Sequence, residues 1–340
     1  MRTIDWVDDH IELIDQTKLP GELVIRKVTT LDDLIDDIQR LAVRGAPALG
    51  VAGAMGVALI AQGNPDRATL ESEAQRLANA RPTAVNLSWG VKKTMEKADG
   101  GFPALLEEAL KIRDDDIASC YSMGQYGADL MDELLGTDTY RIMTICNTGG
   151  LACVERGTAL GVIQTLFERG KLEEALPVET RPLLQGARLT AWELTNMGAP
   201  FRLICDSAGP FLLSRGAAQA VFIGADRIAA NGDSANKIGS FSLSLGAKAA
   251  DIPFIVVAPE STIDYSTATG ADIPIEDRGS EEVANFHGVR TAPEGTQAIN
   301  PAFDVTPTSN ITAIVTDRRV IRVDRGETPQ TTPLGEIRAK

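Results

Sequence analysis

Proton transfer on a phosphorylated ligand is the chemistry for which this sequence holds suitable side chains: a thiol, a carboxyl group and a few cations beside glycine turns. Cys146 follows the apolar run Arg141–Thr144 (RIMT) and precedes Asn147-Thr148-Gly149-Gly150, a glycine turn expected to lead into a helix. A thiol near a helix N-terminus ionises more readily, whereas the apolar neighbours Met143 and Ile145 favour its neutral form. Asp226 ends the run AVFIGA. A carboxyl group emerging from an apolar strand holds its proton to higher pH, which suits an acid or base near neutrality. The ordinary readings of the two residues are a buried structural cysteine and an aspartate that caps a turn. Asp206, after FRLIC, has similar placement, with capping of a helix begun at Ser207 as its expected task.

The cations are few and local. Arg44, with the backbone of Gly45 and Ala46, offers an arginine fork and free amides at a helix start, a local phosphate site. Arg81 lies in RPTAVNLSWG, where Pro82 disfavours helix at the preceding residue and so presents Arg81 from a loop. Asn236 and Lys237, in NGDSANKIGS, are read as following the AVFIGAD strand and opening a helix, where they supply a donor and a cation. Taken singly, each arginine is equally well a surface residue. Together the set has the inventory of an isomerase that needs no metal, although a bare phosphosugar-binding module contains the same residues.

Composition removes several alternatives. The chain has 340 residues, with 33 Lys plus Arg against 47 Asp plus Glu, a formal net charge of −14. General phosphate neutralisation of nucleic acid is therefore not expected, and any anionic ligand must be caught locally. The only histidines are His10 and His287, too few for multi-histidine metal sites and poorly placed for serine–histidine catalysis. The four cysteines, Cys120, Cys146, Cys153 and Cys205, include no C-x-x-C pair. The opening MRTIDWVDDH carries acid where a secretory leader carries base and apolar length. Free thiols in a reducing, cytoplasmic setting are expected, with Cys120, Cys153 and Cys205 as buried structural residues. Gly45–Ala61 is uncharged for 17 residues. As a helix it would reach about 25 Å, short of a ~30 Å hydrocarbon core, so a buried small-residue helix and no membrane span is the reading. Gly50, Gly53 and Gly56 imitate a dinucleotide cluster, but they follow a helix in the spacing G-x-x-G-x-x-G, outside any βαβ unit.

These residues need two kinds of scaffold. The first half has helical periodicity: Leu31, Leu34, Ile35, Ile38 and Leu41, then a helix from Pro47, then patterns over Asp66–Ala80, Leu87–Lys97 and Phe102 to about Leu135. Ala46, Gly50, Ala54 and Ala58 form a stripe that permits close helix contact. Two short β-like runs, ELIDQ and ELVIRKV, flank the turn Leu19-Pro20-Gly21. In the second half, short apolar runs at Arg141–Thr144, Arg188–Trp192, Phe201–Cys205, Ala220–Ile223 and Phe254–Val257 read as strands. Gly150–Glu168, Ser207–Arg215 and Ala235–Ala250 between them read as helices. Alternation of this kind predicts a parallel sheet with helices on both faces, whose ligands sit at the carboxyl ends of the strands. The expected class is α/β, a small mostly helical N-terminal domain (1–125) with short β segments followed by a Rossmann-like catalytic domain (126–340) with a mainly parallel sheet. The linker is placed near Gly124–Thr139.

The runs RGAPALGVAGAMGVAL, RPTAVNLSWGV, CNTGGLA, ETRPLLQGARLTAWEL, GADRIAANGDSANKIGS and NPAFDVTP resemble the methylthioribose-1-phosphate isomerase family, from about Trp6 to Pro307. Its wider superfamily includes ribose-1,5-bisphosphate isomerase and regulatory subunits of a translation-initiation exchange factor. The resemblance implies the two-domain fold above, a homodimer, and aldose–ketose isomerisation of a phosphosugar in methionine salvage, with no cofactor and no metal. It assigns Cys146 and Asp226 as catalytic, and Arg44, Gly45, Ala46, Arg81, Gln185, Asn236 and Lys237 as substrate-binding. The family commonly has His before the catalytic cysteine, where this chain has Ile145. That departure leaves both catalytic positions in place and bears on substrate preference or proton handling.

Overall fold

The computed structural model describes residues 1–82, 84–136, 138–286 and 288–338, so His287 lies outside the described residues. It is a mixed α/β protein of two compact units, Met1–Cys120 with Gly149–Gly157, and Tyr121–Thr148 with Thr158–Lys340. In the first unit, β1 (Ile4–Val7), β2 (His10–Ile14) and β3 (Ile25–Val28) form an antiparallel sheet. Helix α1 (Leu31–Gln39) starts where the Thr30 side chain accepts the Asp33 amide, and Asp32 and Asp33 complement the helix dipole. Its Leu34 and Ile38, four apart, are fully buried. Helix α3 (Arg67–Ala78) starts the same way, with Asp66 accepting from Thr69.

Helix α2 (Ala46–Gln62) is the centre of this unit and is buried almost along its whole length. Pro47 sits in its first turn, where the missing N–H costs nothing. The glycines serve packing. A Cβ on Gly90 of α4 (Val85–Met95) would lie 2.0 Å from the Gly50 carbonyl oxygen, and one on Gly53 would lie 2.6 Å from that of Leu87. The small-residue stripe is thus a helix–helix seam, which also disposes of the dinucleotide reading. Gly90→Ala should force α2 and α4 apart and cost about 1–3 kcal/mol, read as a lowered thermal midpoint with an unchanged far-ultraviolet spectrum. An unaltered midpoint would show that the seam is loose.

The second unit is built on a six-stranded, mainly parallel sheet. Its strands are β4 (Tyr140–Thr144), β5 (Leu172–Pro177), β6 (Ala220–Ile223), β9 (Phe254–Val257), β14 (Ala313–Val315) and β15 (Val320–Ile321), in the order β15-β14-β9-β6-β4-β5. Only β15 is antiparallel to its neighbour. The chain goes from β4 to β5 through α6 (Ala159–Glu168), then returns past β4 to β6 by way of α7 (Ala191–Met197) and α8 (Ala208–Ser214). That reversal makes the carboxyl ends of β4 and β6 the topological switch point, the usual ligand crevice of such sheets. A smaller sheet, β10-β7-β8-β13, joins β7 (Arg227–Ala229), β8 (Ser234–Lys237), β10 (Ile263–Asp264) and β13 (Phe303–Thr306). Helix α9 (Ser240–Ala249) follows β8, and α10 (Glu281–Ala284) precedes the hairpin β11 (Asn285–Phe286) and β12 (Val289–Arg290). Among the described residues no helix is long and apolar enough to cross a membrane.

Several sequence expectations need correction. The helix expected over Phe102 to about Leu135 is α5, Gly101–Leu134, and the stretch Gly124–Thr139 read as a linker lies mostly within it. Arg188–Trp192 is not a strand: Gly186–Thr190 is a π turn that flows into α7, a run of helix formers closed by Gly198 in the left-handed region. Phe201–Cys205 makes only single bridges, Phe201 to Ala175 and Ile204 to Val178. Gly150–Glu168 is one 3-10 turn (Gly150–Ala152), then irregular chain, with helix only from Ala159. The first residues of Ala235–Ala250 belong to β8, pinned by pairing with both β7 and β13. Cys205, expected to be buried, is exposed.

Candidate active site

Cys146 and Asp226 extend from adjacent parallel strands. Thr144 of β4 pairs with Phe222 of β6, and each chain then continues past the sheet edge to the residue in question. Cys146 is nearly buried, at 9% exposure, and has a backbone φ of +64°, the left-handed region that non-glycine residues avoid. The surroundings hold it there. Its N–H donates to Thr180 Oγ1 at 2.9 Å, and its carbonyl accepts from Thr190 Oγ1 at 2.6 Å. Asn147 donates to Thr190 and to Glu193. The TAWEL segment that carries Thr190 and Glu193 therefore clamps the turn bearing the thiol.

Thr180 is itself positioned. Asp206 accepts the Thr180 amide at 2.7 Å and the Arg181 amide at 2.6 Å, so its carboxylate organises this loop rather than capping α8, whose N-cap is Ser207. Thr180 and Leu184 also have positive φ, 67° and 57°. Gln185 follows on this loop, at 6% exposure, and its Oε1 is buried with no hydrogen-bond donor among the described residues. A buried amide oxygen without a donor is costly, which makes Gln185 Oε1 an acceptor suited to a ligand hydroxyl. Gly186 makes this possible, since a Cβ there would lie 1.7 Å from the Val178 carbonyl oxygen. Sequence reading alone found neither Thr180, Thr190 nor Asp206 as supports, because their role is visible only in which backbone groups they bond.

Asn236 and Lys237 lie in β8, not at a helix start. Asn236 is buried and donates to Ser240 Oγ at 2.8 Å; Lys237 Nζ donates to the Ala302 carbonyl at 2.8 Å and sits 4.6 Å from the Phe303 ring centroid. The Asp226 amide donates to the Ala235 carbonyl, placing Asp226 beside the same strand. Ile145, where the family commonly has His, is buried, and its Cδ1 would stand 2.9 Å from a Cβ on Gly239. The second unit thus places Cys146 and Asp226 past the ends of β4 and β6, ties the Gln185 loop to Cys146 through Thr180, and sets Asp226 beside the strand of Asn236 and Lys237. Two structural expectations are not met: the chain after Cys146 enters no α-helix until Ala159, and Asp226 is exposed rather than enclosed by apolar neighbours.

Asp304 of β13, opposite Asn236, accepts the amides of Gly239 at 2.7 Å and Phe241 at 3.0 Å at the start of α9. Burial pushes its carboxyl up to about 6, against the pull of those amides and Lys237. Its folded value lies above the unfolded value of about 3.9, so its contribution to stability is full below pH 4 and is lost as pH rises through 6. Asp304→Asn should flatten that part of the stability–pH curve, by about 1–3 kcal/mol between pH 4 and 7 in calorimetric melts. Parallel curves for the variant and the parent protein would contradict this.

Arg44, Gly45, Ala46 and Arg81 belong to the first unit. Gly45 is the N-cap of α2 with φ +94° and supplies no side-chain cap. A Cβ on it would lie 2.4 Å from the Ala152 carbonyl oxygen. Arg81 lies in the connection between α3 and α4, as expected of a loop residue.

Residues 42–322 match the profile described as the initiation factor 2 subunit family. This chain belongs to that family. Among family relatives, the 5-deoxyribose 1-phosphate isomerase of Moorella thermoacetica is 48% identical over 333 residues, covering 94% of this chain and 93% of its own. A methylthioribose-1-phosphate isomerase from Pelotomaculum thermopropionicum is also 48% identical, over 335 residues, covering 94% and 91%. The crystal structure of 5-methylthioribose 1-phosphate isomerase from Pyrococcus horikoshii superposes with a TM-score of 0.88 at 39% identity, covering 94% of this chain and 92% of that one. The helical N-terminal part and the mainly parallel central sheet are thus a family architecture.

Proposed function

We propose that this chain is an aldose–ketose isomerase that converts 5-methylthioribose 1-phosphate to 5-methylthioribulose 1-phosphate, the isomerase step of methionine salvage. The observation that carries the reading is a thiol and a carboxyl group leaving adjacent parallel strands at the switch point, beside the donor-less Gln185 Oε1. Because the anomeric oxygen is esterified, the sugar has no free aldehyde. The ring oxygen must be protonated, the C1–O4 bond cleaved, and hydrogen moved from C2 to C1. Once the bound sugar covers its exposed carboxyl from water, Asp226 is the acid for the ring oxygen, and Cys146 is the second acid/base near C1 and C2. Arg44, Arg81 and the Gly45 and Ala46 amides hold the phosphate, and Asn236, Lys237 and Gln185 hold the sugar. The working form is a cytoplasmic homodimer.

A second reading, 5-deoxyribose 1-phosphate as substrate, fits the apolar Ile145 beside the thiol, and the 48% identity to the Moorella enzyme equals that to the Pelotomaculum one. Phosphorus and proton NMR of the purified protein with each 5-substituted sugar phosphate, beside ribose 1,5-bisphosphate, tests both. Conversion of the methylthio sugar to its 1-phospho-ketose, with the bisphosphate untouched, is the expected result. Turnover of the bisphosphate alone, or of none of the three, would overturn it.

A further inference from the structure

Three side chains of the first unit that the isomerase reading leaves unused converge on one point. Asp116 and Cys120 lie four residues apart on one face of α5, and Cys153 ends the 3-10 turn Gly150–Ala152. One ligand atom from each lies within 4.8 Å of the other two. Both thiols are fully buried. Asp116 accepts the Val154 amide at 3.0 Å, and among the described residues no cation pairs with it. Burial pushes its carboxyl up to about 7. Two thiols and a carboxyl group held this close offer three ligand atoms to one cation, whose binding would exchange their protons for its charge.

We propose that Asp116, Cys120 and Cys153 bind one thiophilic divalent cation of the zinc type, with the fourth position filled by water or a backbone carbonyl. Thiolates favour such an ion over magnesium or calcium, and a mixed sulfur–oxygen set suits its tetrahedral preference. Zinc-bound thiolates stand about 3.7 Å apart, so the ligand atoms must draw together by about an ångström or less, a matter of side-chain torsions. The Val154 N–H bonds the carboxylate from outside and fixes its orientation, as supporting groups of metal sites do. On binding, the thiol protons, and the carboxyl proton where present, pass to solvent; no electron moves. The ion fastens the 149–157 excursion to α5. Gly45 rests on the backbone of the neighbouring Ala152, so the same ion steadies the start of α2.

The test is a titration of reduced, metal-free full-length protein with Co2+. A thiolate-to-cobalt charge-transfer absorption that saturates at one equivalent is expected, and Zn2+ should displace it. Cys146→Ser and Cys205→Ser should keep the band. Cys120→Ser, Cys153→Ser and Asp116→Asn should weaken binding about 100-fold or more, beyond the effect of losing an outer partner. Because a core variant can fail to fold, alkylation of the parent protein supplies a second readout, in which Zn2+ must slow labelling of Cys120 and Cys153 at least about tenfold. No band, a band that survives both serine variants, or a Cys120–Cys153 disulfide with no metal uptake after reduction would each overturn the proposal.

Discussion

Cys146→Ser and Asp226→Asn are each expected to lower kcat by roughly 10²–10⁴ while leaving the fold intact. Serine retains the size of the side chain at Cys146 and leaves both backbone bonds, to Thr180 and Thr190, in place. What it loses is the thiol, a far stronger acid and a better nucleophile than a hydroxyl. Asparagine at 226 keeps the shape of an exposed side chain and removes its proton. A loss confined to kcat, with little change in KM, marks an interaction made in the transition state. Steady-state kinetics on the methylthio sugar phosphate, with circular dichroism as the folding control, decides each residue separately. Near-parental turnover in one variant removes that residue from the chemistry.

Gly186→Ala is expected to damage binding and stability together. The added carbon must occupy space 1.7 Å from the Val178 carbonyl oxygen, and backbone on both sides cannot yield as a side chain tip would. The loop must lift, carrying Gln185 Oε1 away from the sugar. A cost of about 3 kcal/mol or more is expected, with KM raised about tenfold. Gly279→Ala is the instructive comparison, because its φ is +72° and nothing lies within 4 Å of the added carbon. That change costs only the conformational penalty, on the order of 1 kcal/mol, and leaves KM alone. Equal effects of the two substitutions would show that close approach at Gly186 is unimportant.

The sequence made the central strands legible where apolar runs were short and uninterrupted, as at Arg141–Thr144, Ala220–Ile223 and Phe254–Val257. It concealed β5, whose run Leu172–Pro177 is broken by Glu173 and Glu174, the latter paired with Arg202 at the sheet edge. It misread Ser234–Lys237 because a four-residue strand of small and polar residues has no hydrophobic period to announce it; its pairing partners come from distant segments. The candidate site residues were named through spacing and resemblance. Their supports, Thr180, Thr190 and Asp206, were not, since hydroxyls and carboxylates that bond backbone groups leave no pattern along the chain. The Asp116, Cys120 and Cys153 cluster was hidden in the same way, its third member lying far along the chain from the first two.

If Cys146 carries the chemistry proposed above, its left-handed backbone sets stability and chemistry in opposition at one position. A residue with a Cβ stands there at a cost of order 1–3 kcal/mol, and glycine would relieve most of it. Laboratory evolution that rewards heat tolerance alone should therefore favour the substitution Cys146→Gly and lose turnover on the way. Retention of cysteine when turnover is rewarded as well is then a record of selection on catalysis, written in a torsion angle rather than in an activity assay.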